Sequence, residues 1–240
     1  MKRIIRRLAV PALLLALVAA FLLYTGSYYR AADSALPFLE SDPEVTVRTT
    51  DYGWHFDGPG EEQALIFYPG AKVEETAYAP LLHRLAAGGM DACLVKMPFR
   101  LAVFGADRAE DVLDAYEYAH WWMGGHSLGG VMAARFAASH ADRVEGVVLL
   151  ASYADQPLPE SLTEIRICGS EDGVLDRERW EAARANSPAH TFETVIPGGN
   201  HAGFGDYGPQ AGDGIAGISP EAQQAETVAF LLDAVGIGDR

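Results

Sequence analysis

Short apolar runs alternate with amphipathic stretches along most of this chain. Runs at residues 64–68, 92–97, 144–150, 165–168 and 192–196, and another that begins at Trp121, have the length of strands and are bounded by turn-forming residues. They predict buried β-strands. Residues 78–87, 108–119, 131–139, 176–185 and 220–235 carry the spacing or composition of helices. Ahead of them, residues 31–60 read as a linker followed by one or two short strands, at 45–49 and 52–56. Strand and helix alternate from residue 64 onward, which predicts an α/β fold: a mostly parallel sheet with helices on both faces. No internal repeat or low-complexity tract interrupts it.

The first thirty residues break this pattern. Lys2, Arg3, Arg6 and Arg7 precede an uncharged run from Leu8 to Tyr24, long enough for an export signal or a short membrane span. The run leaves through Tyr24-Thr25-Gly26-Ser27-Tyr28-Tyr29-Arg30, which makes a poor cleavage site and suits an interfacial aromatic belt. The expectation is an N-terminal hydrophobic anchor over residues 1–30 and one catalytic domain over 31–240, its basic flank inside the cell and its domain outside the cytoplasm at the cell membrane. Secretion after signal cleavage is the alternative.

Charge sharpens this. Residues 31–240 carry 13 basic side chains against 33 acidic ones, so the domain is not expected to bind nucleic acid or an anionic surface electrostatically. Cys93 and Cys168 fall in predicted buried strands and read as unpaired core thiols.

Candidate chemistry gathers in loops after the strands, where a parallel sheet places its active groups. Gly125-His126-Ser127-Leu128-Gly129 is a Gly-x-Ser-x-Gly turn between an apolar strand and an alanine-rich helix. Its glycines suit a tight elbow, and the helix N-terminus favours developing negative charge. Three further turns are Tyr68-Pro69-Gly70-Ala71-Lys72, then Gly169-Ser170-Glu171-Asp172-Gly173, then Gly198-Gly199-Asn200-His201.

With Ser127, Asp172 and His201 in that order, the chain resembles the α/β-hydrolase fold superfamily over residues 64–235. The Tyr68-Pro69-Gly70 turn, the Gly-Gly-His-Ser-Leu-Gly-Gly elbow and the Gly-Gly-Asn-His turn resemble those of small lidless bacterial serine hydrolases related to dienelactone hydrolases. Those enzymes proper carry a cysteine nucleophile where this chain has Ser127, which argues against dienelactone chemistry itself.

Acyl transfer assigns the roles. Serine needs a base within hydrogen-bond reach, for which His201 is the candidate, and the histidine needs a carboxylate to hold its tautomer, which is Asp172 or its neighbour Glu171. Asp172 is favoured because Gly173 lets the loop turn and its side chain is shorter. The oxyanion would be held by the amide of Leu128 and, by resemblance, that of Ala71. The expected function is a serine carboxylesterase acting on a small-molecule ester. An acyltransferase or thioesterase with the same triad, and a non-catalytic binding or scaffold protein on the same fold, are the other readings. No cofactor or metal is expected, since no histidine spacing resembles a zinc site.

His126 is expected to pack beneath the elbow. Lys72 reads as a solvated loop lysine. Phe99, Phe104, Phe204 and Tyr207 either wall an acyl pocket or pack as ordinary loop residues. Only a dozen or so residues separate the strands at 144–150 and 165–168, too few for an inserted cap, so the site is expected to be open.

Overall fold

The apolar runs assemble as one sheet. The computed structural model describes residues 2–237, with side chains from Val10 onward. Its eight strands are β1 (Thr46–Thr49), β2 (Gly53–Asp57), β3 (Gln63–Tyr68), β4 (Asp91–Val95), β5 (His120–His126), β6 (Gly146–Leu150), β7 (Thr163–Gly169) and β8 (Thr191–Ile196). They lie in the order β1-β2-β4-β3-β5-β6-β7-β8. From β4 to β8 every pairing is parallel, while β1 and β2 form an antiparallel edge. The central strands β3 to β6 are buried on both faces, as strands covered by helices on each side must be.

The helices are α1 (Lys2–Gly26), α2 (Ala79–Ala87), α3 (Ala109–Leu113), α4 (Leu128–Ser139), α5 (Arg177–Ala182) and α6 (Pro220–Ala234). Two apolar clusters flank the sheet. One joins α2 and α6 to residues such as Leu65, Phe67 and Ile165. The other joins α3 and α4 to Ile66, Met123 and Val147 on the opposite face. Helix α6 starts with Ser219, whose side chain accepts from the Ala222 amide, followed by Pro220, a strong N-terminal pairing.

The helix expected over residues 108–119 is much shorter, because α3 ends at Leu113. The chain leaves the helix to lay Tyr116 and Tyr118 over the antiparallel edge. There Tyr118 Oη donates to Asp91 and contacts His55 Nε2 at 3.0 Å, and the Tyr116 ring lies 4.5 Å from that of His55. Tertiary contacts outweigh the local helical spacing.

The N-terminal run is helical as α1, with Pro11 inside it. Among the described residues no helix is long and apolar enough to cross a membrane. The basic flank Lys2, Arg3, Arg6 and Arg7, with Leu8 and Ala9 that open the apolar run, lies outside the described side chains. From Val10 to Tyr24 the large apolar side chains of α1 are mostly exposed, Leu15 at 70% and Leu23 at 76%.

Candidate functional site

The elbow between β5 and α4 is built from small residues because strand and helix nearly touch. A Cβ on Gly129 would lie 2.2 Å from the Tyr68 carbonyl oxygen, and one on Gly125 would lie 2.6 Å from the Gly129 backbone. Ser127 sits at the apex with φ 53° and ψ −125°, a left-handed conformation costly for any residue with a Cβ. The surroundings hold it there: its amide donates to the Leu150 carbonyl at 2.9 Å, and its carbonyl accepts from Ser152 Oγ at 2.7 Å.

At the end of β7 the chain turns through Asp172, whose carboxylate is buried. Oδ1 accepts from the amides of Val174 and Leu175 at 2.9 and 2.8 Å, and Oδ2 accepts from His201 Nδ1 at 2.9 Å. Burial pushes this carboxyl up, but the His201 bond and charge with the two amides outweigh it, so its pKa lies below the ordinary carboxylate value. Glu171 points elsewhere. It is exposed and accepts from Ser170 Oγ at 2.9 Å.

His201, after β8, is almost wholly buried, and with Nδ1 committed to Asp172 its Nε2 has no hydrogen-bond partner among the described residues. Ser127 Oγ makes no hydrogen bond to it here. The elbow meets the histidine through His126, whose ring centroid lies 4.4 Å from that of His201.

His126 packs beneath the elbow as expected and is bonded through Nδ1 to Tyr78 Oη at 2.8 Å. Burial, then the neighbouring His201, drives its pKa well below the usual imidazole range, so it stays neutral. Tyr78 Oη also accepts from the Gly70 amide at 3.1 Å, so its own proton is directed at His126 Nδ1. The Gly70 amide is thereby used up. The next amide, that of Ala71, has no acceptor within the described residues, and the Leu128 amide opens α4, where first-turn N–H groups lack helical partners.

Three supports lie outside the motifs read from the sequence. Asp213 Oδ1 accepts from the amides of Gly173 and His201, both at 3.1 Å, and Oδ2 from that of Ala202 at 2.8 Å, tying the acid turn to the histidine turn. Gln223, buried on α6, accepts from the Asn200 amide and donates to the Asn200 carbonyl. The third is Ser152. A polar residue on the inner face of α6 was the one visible hint, since Gln223 and Gln224 are buried there with Thr227.

Of the four loop aromatics, Phe204 and Tyr207 are core residues, packed on His126 and Tyr78. Phe99 and Phe104 remain half exposed at the mouth. No helix is inserted between β6 and β7. A groove of about 520 Å³ runs from Leu128 past Val103, Met132, Tyr153 and Arg179. Cys93 and Cys168 are buried and unpaired. No group of three metal-ligating side chains occurs among the described residues.

The model of the alpha/beta hydrolase family matches residues 64–225. A serine hydrolase-like protein of Danio rerio is 28% identical over 113 residues, 46% of this chain. The chain spans about a third of that relative's length, the match covering 32% of it. A dienelactone hydrolase of Anabaena variabilis has a similar fold, with a TM-score of 0.56 at 14% identity over 80% of this chain and 99% of that one. So does a membrane phospholipase A, with a TM-score of 0.57 at 14% identity over 96% of this chain and 99% of that one. With a family match over more than half its length, a mostly parallel eight-stranded sheet and the elbow after β5, the chain belongs to the alpha/beta hydrolase family, on the fold it shares with dienelactone hydrolase.

Proposed function

We propose that this hydrolase is a serine carboxylesterase working through an acyl-enzyme. Ser127 Oγ attacks the ester carbonyl while His201 Nε2 takes its proton. Asp172 holds the imidazole in the required tautomer and stabilises it when charged. The carbonyl oxygen, now negative, is held by the amides of Ala71 and Leu128, in the field of the α4 N-terminus. His201 then gives its proton to the departing alcohol, and a water deprotonated by the same nitrogen releases the acid.

One observation carries this reading: the buried Asp172–His201 bond leaves His201 Nε2 without a partner among the described residues, with the ring packed on His126 of the strained Ser127 elbow. Buried polar atoms are rarely left unpaired, and an unpaired one at a strained turn suits a group awaiting a reacting partner. The free Ala71 amide supports it, since the Tyr78 bond removes the competing Gly70 donor.

The same reading keeps the chain at the membrane. Residues 1–30 anchor it, with Met1 inside and the catalytic domain outside the cytoplasm. The apolar side chains of α1 that stay mostly exposed among the described residues support this.

The test is labelling of the purified protein by a serine-directed fluorophosphonate, beside turnover of p-nitrophenyl esters of increasing chain length. Labelling at Ser127 and turnover that vanishes in Ser127→Ala are expected. Undiminished turnover by that variant would remove Ser127 from the mechanism.

A further inference from the structure

The segment that follows α1 is not a loose tether. The Tyr29 amide donates to the Lys72 carbonyl at 2.7 Å, the Glu74 amide returns a bond to the Tyr29 carbonyl at 2.8 Å, and the Ala31 amide is held by Glu74 Oε2 at 3.1 Å. Lys72 directly follows Ala71, so α1 is fastened to the turn that would supply an oxyanion donor. Its last turns also pack on the cleft mouth. The Phe21 ring meets those of Phe99 and Phe104 at 5.1 and 5.9 Å. The exposed apolar face of α1 therefore continues through Phe99, Val103 and Phe104, which are 50%, 47% and 52% exposed, into the groove that starts at Leu128.

Three cations meet at this junction without carboxylate partners among the described residues. The chain carries 33 acidic side chains against 18 basic ones, and Arg48, Arg84, Lys96, Arg135, Arg143 and Arg166 each pair with a carboxylate. Arg30, Lys72 and Arg100 pair with none among the described residues. They lie over tyrosine rings instead: Lys72 Nζ is 4.3 Å from the Tyr24 centroid, and Arg100 and Arg30 lie 3.5 and 5.5 Å from that of Tyr28. Arg100 Nε is buried with no hydrogen-bond partner. Lys72, Phe99 and Arg100 all hold positive φ, and the Lys72 amide donates to the Arg100 carbonyl at 2.9 Å, locking the two loops together.

We infer that this junction is a phospholipid collar, and that the substrate is the acyl ester of a glycerophospholipid drawn from the leaflet in which α1 ends. Tyrosines and snorkelling cations at a helix end mark the depth of the lipid headgroups. The outer guanidinium nitrogens of Arg100, unlike its buried Nε, are open to a phosphate and suited to it. The phosphate held there, one acyl chain passes over Phe99 and Phe104 into the groove, and its ester reaches Ser127 without entering bulk water. The net acidity of the remaining surface disfavours anionic headgroups elsewhere, so contact with them falls to this collar rather than to the domain as a whole. This rests on the proposed serine esterase and its anchor and adds the substrate class.

The full chain, reconstituted in vesicles of phosphatidylglycerol and phosphatidylethanolamine, is assayed for released fatty acid and, in the same vesicles, for hydrolysis of p-nitrophenyl butyrate. Release of fatty acid that requires Ser127 is expected. Arg100→Gln and Lys72→Gln should each lower lipid turnover relative to butyrate turnover by about fivefold, and Phe99→Ser with Phe104→Ser should lower that ratio further. Butyrate hydrolysis without fatty acid release overturns the lipid proposal and leaves the esterase standing, whereas loss of both activities' dependence on Ser127 overturns the esterase. An unchanged ratio in Arg100→Gln also overturns the collar. So does competition by inorganic phosphate as strong as that of an equal concentration of lipid phosphate, which would make this a free-anion site. Cross-links between copies through Phe99 or Phe104 in the vesicles would instead make the face a dimer contact.

Discussion

Asp172 Oδ2 accepts a hydrogen bond from His201 Nδ1 at 2.9 Å, and both side chains are buried at the ends of adjacent strands β7 and β8. The bond commits Nδ1 and leaves Nε2 without a hydrogen-bond partner among the described residues. Asp172→Asn keeps the shape but loses the charge and offers a donor in place of an acceptor. Its kcat should fall by on the order of a hundredfold to ten-thousandfold. Glu171→Gln, at an exposed carboxylate bonded to Ser170, should stay within about threefold of the parent. Ester kinetics of both variants beside melting curves decide it, and the reverse ranking would move the acid role to Glu171.

Ser127 holds a backbone conformation that favours glycine, with φ 53° and ψ −125°. Ser127→Ala should fold like the parent and lose ester hydrolysis. Ser127→Gly should also be inactive yet gain roughly 1 kcal/mol of stability, because it releases strain that the proposed nucleophile requires. Urea unfolding of both variants measures this. A glycine variant less stable than the alanine one would show that the elbow stores no strain.

Much of this arrangement was legible in the sequence, because its signals are local. The elbow needs Gly125 and Gly129 for close approach, and the apolar runs fix the strands to within a few residues. The acid and histidine turns could be placed because a parallel sheet puts such loops at one edge. What escaped depends on contacts between distant segments. Tyr116 and Tyr118 end α3 early by binding His55 and Asp91, and Phe204 and Tyr207 fold inward onto His126 and Tyr78, which no spacing near them encodes. Nor does any motif say that Gly70 spends its amide on Tyr78.

Asp91 offers a pH test away from the catalytic residues. Burial raises its carboxyl to about 6, against the lowering bonds from Tyr118 and the Gly58 amide. The unfolded group titrates near 3.9, so over the interval between the two values the folded state holds a proton that the unfolded state has released. Stability from this group therefore falls as pH rises from about 4 to about 6 and is level above that. Asp91→Asn should remove the step, so the variant gains on the parent between about pH 5 and about pH 8. Urea midpoints at the two pH values test it, and an equal difference at both would refute the raised value.

The orientation of the chain gives a cellular prediction. On the proposed topology, in which the basic flank before residue 8 keeps Met1 inside, protease added to intact cells should digest the hydrolase domain. Cutting only after lysis would reverse the topology. Recovery of a soluble form that begins near Tyr28 would show a cleaved signal instead of an anchor.

Asp213 is the test of how the proposed acid and base are held in register. Its carboxylate accepts from the amides of Gly173, His201, Ala202 and Gly214, so one side chain spans the turn that follows Asp172 and the turn that carries His201. Charge-assisted bonds of this kind each contribute more than neutral ones. Asp213→Ala leaves these amides without their acceptor and should cost about 2–4 kcal/mol of stability, less where water reaches the half-buried site. The larger effect should be on rate. A shift of about 1 Å between His201 and Ser127 costs on the order of a hundredfold in a reaction that depends on alignment. Because Asp213 touches no reacting atom, KM should change little while kcat falls. Asp213→Asn keeps one acceptor oxygen and should lie between the alanine variant and the parent in both stability and kcat. Steady-state kinetics well below the melting temperature separate the two effects: a lowered melting temperature with kcat unchanged would make Asp213 a purely structural clamp.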